Sequence, residues 1–262
     1  MSVKAYRVLT KRHLALAVMA VFLTALAVVI AAALIPYAYA NAAAAAKRKL
    51  PIYCTDRSNK VVSITFDAAW GDEDTGELID ILERYQVKAS FFVVGEWVDR
   101  CGESVKALSE AGHEILNHSD THPNMSQLSR EKMLREISAC NDKIQAITGK
   151  CPTLFRAPYG DYNNALLETV EAMKMYCIQW DVDSLDWKGL SADEIVKRVV
   201  SQTASGSILL FHNAAAHTPE ALPSIIEGLR DKGYSFLPVS EMIYYENYTL
   251  NHEGRQIADS AG

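Results

Sequence analysis

Apolar positions in this chain follow two regimes. From Leu14 to Ile35 they run almost unbroken, Thr24 being the one polar interruption. Beyond residue 51, short apolar runs bounded by polar or turn residues alternate with longer stretches in which apolar side chains recur every three to four positions. The short runs predict strands at 61–66, 89–93, 114–116, 154–156, 177–180, 207–211 and 235–237. The periodic stretches predict helices at 75–85, 98–111, 130–148, 163–173, 192–203 and 220–232. Near-continuous apolarity in the strands implies burial on both faces, hence a parallel sheet covered by helices. Either an open doubly wound sheet or a closed barrel satisfies that pattern. With no G-x-G-x-x-G and no phosphate-binding lysine loop, the nucleotide-binding versions lose support.

Helix boundaries carry their own chemistry. Ser191 with Glu194 forms a capping-box pattern, Thr218 is placed as a cap before the first-turn Pro219, and Leu128 beside Ser129 can staple onto Met133. Gly112, Gly149 and Gly233 stand where helices should stop.

The unbroken apolar run follows Lys4, Arg7, Lys11 and Arg12. A bilayer core needs about 20 helical residues, whereas the apolar region of a signal peptide has about 7–15. Residues 14–35 therefore read as a transmembrane or signal-anchor helix, with a cytoplasmic basic start and an external C-terminal domain. Ala38-Tyr39-Ala40 offers an alternative, a cut before Asn41 that would leave the protein secreted. Residues 1–50 then comprise basic start, span and short tether; 51–246 form one domain; 247–262 read as a frayed polar tail.

Charge narrows the partners. Seven of the 26 Lys and Arg lie in the first 50 residues, which hold no acidic residue, so the remainder carries 19 basic against 32 acidic groups, a formal charge of −13. Nucleic acid is an unsuitable partner for such a surface, and no protein partner is indicated. Five cysteines without C-x-x-C spacing argue against a thiolate metal site; their odd number rules out complete pairing, with Cys140 and Cys151 the one pair near in sequence.

Chemistry enters with His118 and His122, spaced four apart in NHSDTHP, a spacing that can bring two imidazoles to one metal ion. Other polar groups also follow predicted strands: Asp67 the first, Arg156-Ala157-Pro158-Tyr159 the fourth, Asp181 and Asp183 the fifth, His212 the sixth. In closed βα barrels reactive groups collect at the C-terminal strand ends, so these predict one site.

Five ordered segments, Thr65-Phe66-Asp67, His118-Ser119-Asp120-Thr121-His122, Arg156-Ala157-Pro158-Tyr159, Asp183-Ser184-Leu185-Asp186-Trp187 and Leu209-Leu210-Phe211-His212, resemble the motifs of polysaccharide deacetylases of carbohydrate esterase family 4, the NodB homology domain. The resemblance spans about residues 60–241. It implies an α/β fold, a distorted (β/α)7 barrel here preceded by the N-terminal helix. It also implies a divalent metal, usually zinc with cobalt or another divalent ion as alternative, and removal of acetyl groups from N-acetylated glycans of the cell wall, peptidoglycan or chitin-like.

By that resemblance His118 and His122 hold the metal, Asp67 takes a proton from the attacking water and Arg156 fixes Asp67. His212 gives a proton to the leaving amine, with Asp183 bonded to its far ring nitrogen. The Tyr159 backbone N–H meets the oxyanion, and Trp187 and Leu210 wall the acetyl pocket. Trp70, Trp97 and Tyr162 are candidates either for sugar stacking or for packing.

One position departs from the pattern. The family motif continues with a second aspartate that ligates the metal, where this chain has Ala68, as in a membrane-linked or spore-associated branch. Asp67 could move onto the metal, a carboxylate from Asp72, Glu73 or Asp74 could reach back, or water could fill the place. The alternative function is a glycan-binding pseudoenzyme.

Overall fold

The computed structural model describes residues 11–45 and 48–259. The chain divides into two units, 1–48 and 49–262. In the first, helix α1 (Lys11–Ala45) includes a 20-residue stretch, Leu14–Ala33, long and apolar enough to cross a membrane. Its described side chains are exposed, Val21 and Phe22 among them. Lys4, Arg7 and Lys47 lie outside the described residues.

In the second unit the elements run β1 (Cys54–Thr55), β2 (Val61–Ala68), α2 (Thr75–Arg84), β3 (Ser90–Val93), α3 (Gly95–Arg100), α4 (Gly102–Glu110), β4 (Glu114–Asn117), α5 (Arg130–Thr148) and β5 (Leu154–Phe155). There follow α6 (Asn164–Ala172), β6 (Tyr176–Cys177), β7 (Val182–Asp183), α7 (Ala192–Gln202), β8 (Ile208–His212), α8 (Thr218–Asp231), β9 (Ser235–Phe236), α9 (Val239–Met242), β10 (Tyr248–Leu250) and β11 (Arg255–Ala258). The main sheet is all parallel, in the order β6-β5-β4-β3-β2-β8-β7, with β9 pairing the start of β2. It curls into the distorted barrel that the family resemblance implies.

Strand β2 is central and buried at every position. Val62, Ile64, Phe66 and Ala68 pack outward with Leu78, Leu82, Val199 and Leu222 from the helices. Burying each such Leu, Ile or Phe contributes about 1.5–3 kcal/mol. The alternate positions Ser63, Thr65 and Asp67 are also buried, and Thr65 and Asp67 receive hydrogen bonds from Arg156. Period-2 alternation thus separates an apolar helix-facing layer from an inward side on which Ser63, Thr65 and Asp67 lie among Val61, Phe92 and Ile208.

Two neighbouring strands leave a seam, which other parts of the chain fill. Strands β6 and β7 are the sheet edges. Ile52 bridges Ile178 beyond β6, and Cys54 bridges Ser207 just before β8. Strand β1 is in turn paired by β11, Cys54 opposite Arg255 and Thr55 opposite Gln256, and β10 runs antiparallel beside β11. Gly206 (φ 79°) approaches so closely that a Cβ there would stand 1.9 Å from the Thr55 carbonyl oxygen.

Several expectations change. The helix expected at 98–111 is two helices, α3 and α4, meeting at Cys101. The strand expected at 177–180 ends at Cys177, and Asp181 accepts hydrogen bonds from Ser207 Oγ and Ile208 N, both at 2.8 Å, far from the role of a strand-end reactive group. Helix α8 begins at Thr218 with His217 as its cap residue, so Thr218 is not the cap. From 248 to 258 the supposed frayed tail pairs as strands. The Ser191–Glu194 capping box is present, and no cysteine is paired among the described residues.

Candidate active site

Register brings the candidate groups to one end. Asp67 on β2 sits directly opposite His212 on β8, while Val93 pairs Asn117 and Asn117 pairs Phe155, leaving His118 and Arg156 just past their strands. A cavity of about 710 Å³ opens there, within the 300–1,000 Å³ typical of ligand sites. Asp67, His118, His122, Asp183, Asp186 and His212 line it, together with Tyr159, Trp187 and Leu210.

Arg156 is fully buried and organises the floor. Its Nη1 donates to Asp67 Oδ1 at 2.7 Å and to Thr65 Oγ1 at 3.0 Å, Nη2 donates to the Gln179 carbonyl at 3.1 Å, and the guanidinium lies 3.9 Å from the Phe92 ring centre. Burial alone would push the Asp67 carboxyl upward, but Arg156, followed by His118 and His212, brings it below the ordinary carboxylate value.

His118 Nδ1 meets the Arg156 carbonyl oxygen at 2.9 Å. A carbonyl oxygen only accepts, so Nδ1 carries the proton and Nε2 presents its lone pair. That nitrogen faces Asp67 Oδ2 at 3.4 Å. Two proton-free acceptors facing each other at this separation repel, so the place suits a divalent cation on the His118 lone pair with Asp67 Oδ2 beside it. The His122 ring centre is 5.0 Å from that of His118. Burial foremost pushes His122 down to about 4, and burial also lowers His118, so both imidazoles are neutral and able to ligate at pH 7.

The third ligand of the family motif has no replacement in the loop. Ala68 packs in the outer apolar layer, and Ala69, not Ala68, lines the cavity. Asp72 accepts from Ser104 Oγ at 2.7 Å and Asp74 from Ala214 N at 2.8 Å, while Glu73 is exposed; none of the three lines the cavity. Among the described residues no three His, Cys, Asp or Glu side chains are gathered closely enough to hold an ion as they stand.

The partner of His212 is Asp186, which corrects the expectation of Asp183. Asp186 Oδ1 lies 2.8 Å from His212 Nδ1, and Oδ2 accepts from His212 N at 2.8 Å and Thr218 Oγ1 at 2.7 Å. Left-handed Leu185 (φ 56°) turns the chain after β7 so that Asp186 goes under the histidine. Asp183 instead accepts from Leu185 N at 2.9 Å and remains at the cavity wall. Burial lowers the His212 pKa, but the hydrogen bond and charge of Asp186 outweigh it, leaving the group above its ordinary value. Spacing alone could not choose between two aspartates in one motif.

Other residues hold the loops without a signal in the sequence. Glu136 on α5 accepts from the N–H of Asp120 at 3.0 Å, and from the N–H and Oγ1 of Thr121, both at 2.8 Å. Asn117 Oδ1 accepts from Ser119 N at 2.8 Å while its Nδ2 donates to Ile137 O and Asn141 Oδ1. Ser119, His122, Tyr159, Leu185 and Ala214 all have positive φ, a concentration of backbone strain around the cavity. Tyr159 is 66 % exposed, its ring 4.5 Å from that of His122. Trp97 is buried and donates to the Gly71 carbonyl at 2.9 Å, so it is no stacking face, and Tyr162 is half-buried against an apolar cluster.

A curled parallel barrel with paired imidazoles, an arginine-held aspartate and an aspartate-held histidine at its mouth defines a hydrolase-type site. The polysaccharide deacetylase profile matches residues 55–178. A peptidoglycan-N-acetylglucosamine deacetylase of Bacillus cereus is 34% identical over 195 residues, 72% of this chain and 91% of that protein. The uncharacterized protein YlxY of Bacillus subtilis is 32% identical over 193 residues, 74% of this chain; the match spans 60% of YlxY's length. Among solved structures, the wild-type CE4-family pseudoenzyme BA3943 from Bacillus anthracis superposes with TM-score 0.72 at 30% identity, covering 80% of this chain and 73% of that one. A mutant of it described as having restored enzymatic activity matches with the same TM-score at 34% identity, covering 75% and 72%. The chain belongs to the polysaccharide deacetylase family.

Proposed function

We propose that this protein removes acetyl groups from N-acetylated glycans of the cell wall, working outside a membrane that residues 14–35 span. The observation that carries the reading is the convergence of Asp67, His118, His122 and His212 on one cavity. His118 and His122 would hold a divalent ion, zinc by preference for a nitrogen-rich donor set, with Asp67 Oδ2 adjacent. Such an ion supplies carbonyl polarisation and a more acidic water.

The remaining work belongs to the chain. Arg156 occupies Asp67 Oδ1, so Oδ2 is the oxygen free to take a proton from the attacking water. The Tyr159 N–H is the donor for the developing oxyanion; the following amides of Gly160 and Asp161 are bonded to Ala157 and Pro158. His212, kept protonated by Asp186, gives its Nε2 proton to the departing amine. Leu210 and Trp187 offer apolar surface to the acetyl methyl.

A second reading, a glycan-binding pseudoenzyme, is favoured by Ala68 and by the likeness to BA3943. Acetate release from N-acetylglucosamine oligomers by the full-length chain in detergent micelles, with saturating zinc or cobalt, decides between them. The deacetylase reading requires turnover that His118→Ala abolishes; binding without acetate selects the second. Location is tested by fractionation: a full-length chain in the membrane fraction supports the anchor, and a product starting at Asn41 in the medium supports cleavage and secretion.

A further inference from the structure

The indole of Trp70 stands at the cavity with no part in the proton transfers above. It lines the cavity, is 55 % exposed, and its ring centre is 6.1 Å from both the His122 ring, at 63°, and the His212 ring, at 52°. Its side chain therefore flanks both the ligand side and the acid side of the site. Backbone on either side of it is fixed. Ala69 N donates to Asn213 Oδ1 at 3.1 Å, Arg100 Nη2 donates to Ala69 O at 3.2 Å, and the Gly71 carbonyl accepts from both Trp97 Nε1 and Asn213 Nδ2.

A large apolar ring left in water on a tied-down loop is pre-organised for a ligand with an apolar face, because little further ordering accompanies binding. Trp187, also exposed at the cavity, is less available: the Lys188 ammonium lies 4.9 Å from its ring centre and covers one face. A pyranose with equatorial substituents presents axial C–H groups as such an apolar face, while its acetamido group can reach the histidines.

We propose that Trp70 is a specificity-determining residue whose indole stacks on the C–H face of the aminosugar ring carrying the reacting acetamide. The site then takes N-acetylated sugar oligomers in preference to small acyl compounds. This deepens the deacetylase reading and rests on it for the orientation of the sugar.

Binding of an N-acetylglucosamine pentamer and of acetohydroxamate, a small acyl probe of the reacting centre, is measured by calorimetry on the full-length chain in micelles with zinc present. Trp70→Ala should weaken the pentamer about tenfold, the scale of one aromatic stacking contact, and leave acetohydroxamate within about twofold. Trp70→Phe should keep most of the pentamer affinity. Unchanged pentamer binding in Trp70→Ala overturns the proposal, as does equal weakening of both probes, which would make the indole a support for the histidines. No pentamer binding by the unsubstituted chain overturns it too. Absence of acetate release with pentamer binding intact defeats the deacetylase reading instead, and the comparison of variants still decides the role of Trp70.

Discussion

Replacing Arg156 by methionine isolates the interaction that holds the site floor together. Both partners are buried: the guanidinium has no exposure and Asp67 is 5% exposed. Removing one member of a buried ion pair typically costs about 3–5 kcal/mol, because the other charge is left without compensation. For a domain of this size about 2–4 °C of Tm accompany each kcal/mol, so Arg156→Met should lower Tm by roughly 6–20 °C. Asp67→Asn added to it removes the stranded charge, and the double variant should be more stable than Arg156→Met by about 2 kcal/mol.

The sign of the pH dependence follows. In the unaltered protein the Asp67 carboxyl is lowered on folding, so its contribution is present above the ordinary carboxylate range and is lost as pH falls through the lower folded value. Without Arg156, burial dominates and raises the group; its penalty is then full at neutral pH and is relieved as pH falls through the raised value. All four tryptophans lie beyond residue 69, so intrinsic fluorescence follows the folded unit without contribution from α1. A Tm deficit of Arg156→Met that stays constant from pH 7 to 5, or a double variant no more stable than the single, would refute the reasoning.

Three further outcomes are expected. Because His212 is raised by Asp186, activity should decline as pH rises through the His212 pKa; Asp186→Asn should move that limb toward acid in kcat/KM profiles, whereas Asp183→Asn should move it less. Glu136→Gln should weaken zinc binding, read by chelator competition, by about tenfold, since loop and outer partners of metal ligands commonly contribute 10–100-fold. Gly206→Ala, with positive φ and a clash against the Thr55 carbonyl, should destabilise by roughly 3 kcal/mol in thermal unfolding.

Much of the barrel is legible in the pattern of apolar residues because its strands and helices bury apolar surface with regular period. The bounds of α5 and the capping box of α7 follow directly from side-chain chemistry. Strand β7 has two residues, too few for alternation to register. The break at Cys101 is hidden because Val98, Val105 and Leu108 keep a nearly continuous apolar face across it. Strand β11 escapes for another reason: its buried residue is Gln256, held by Nε2 to Tyr244 O at 2.7 Å and Oε1 to Tyr244 N at 2.9 Å, so hydrogen bonding rather than apolarity fixes it. In the site, motif order locates the strand-end groups but not Asp186 over Asp183 or the support from Glu136, since both depend on how loops cross in three dimensions.

Thr55 and Gln256, paired across the seam, lie some two hundred positions apart in the chain. Contacts of such separation form late and slow a folding reaction, since a long loop must close before they give any return. A chain still lacking β11 would therefore hold Cys54 and Thr55 unlatched, and this seam can close only once residues 255–258 have been made.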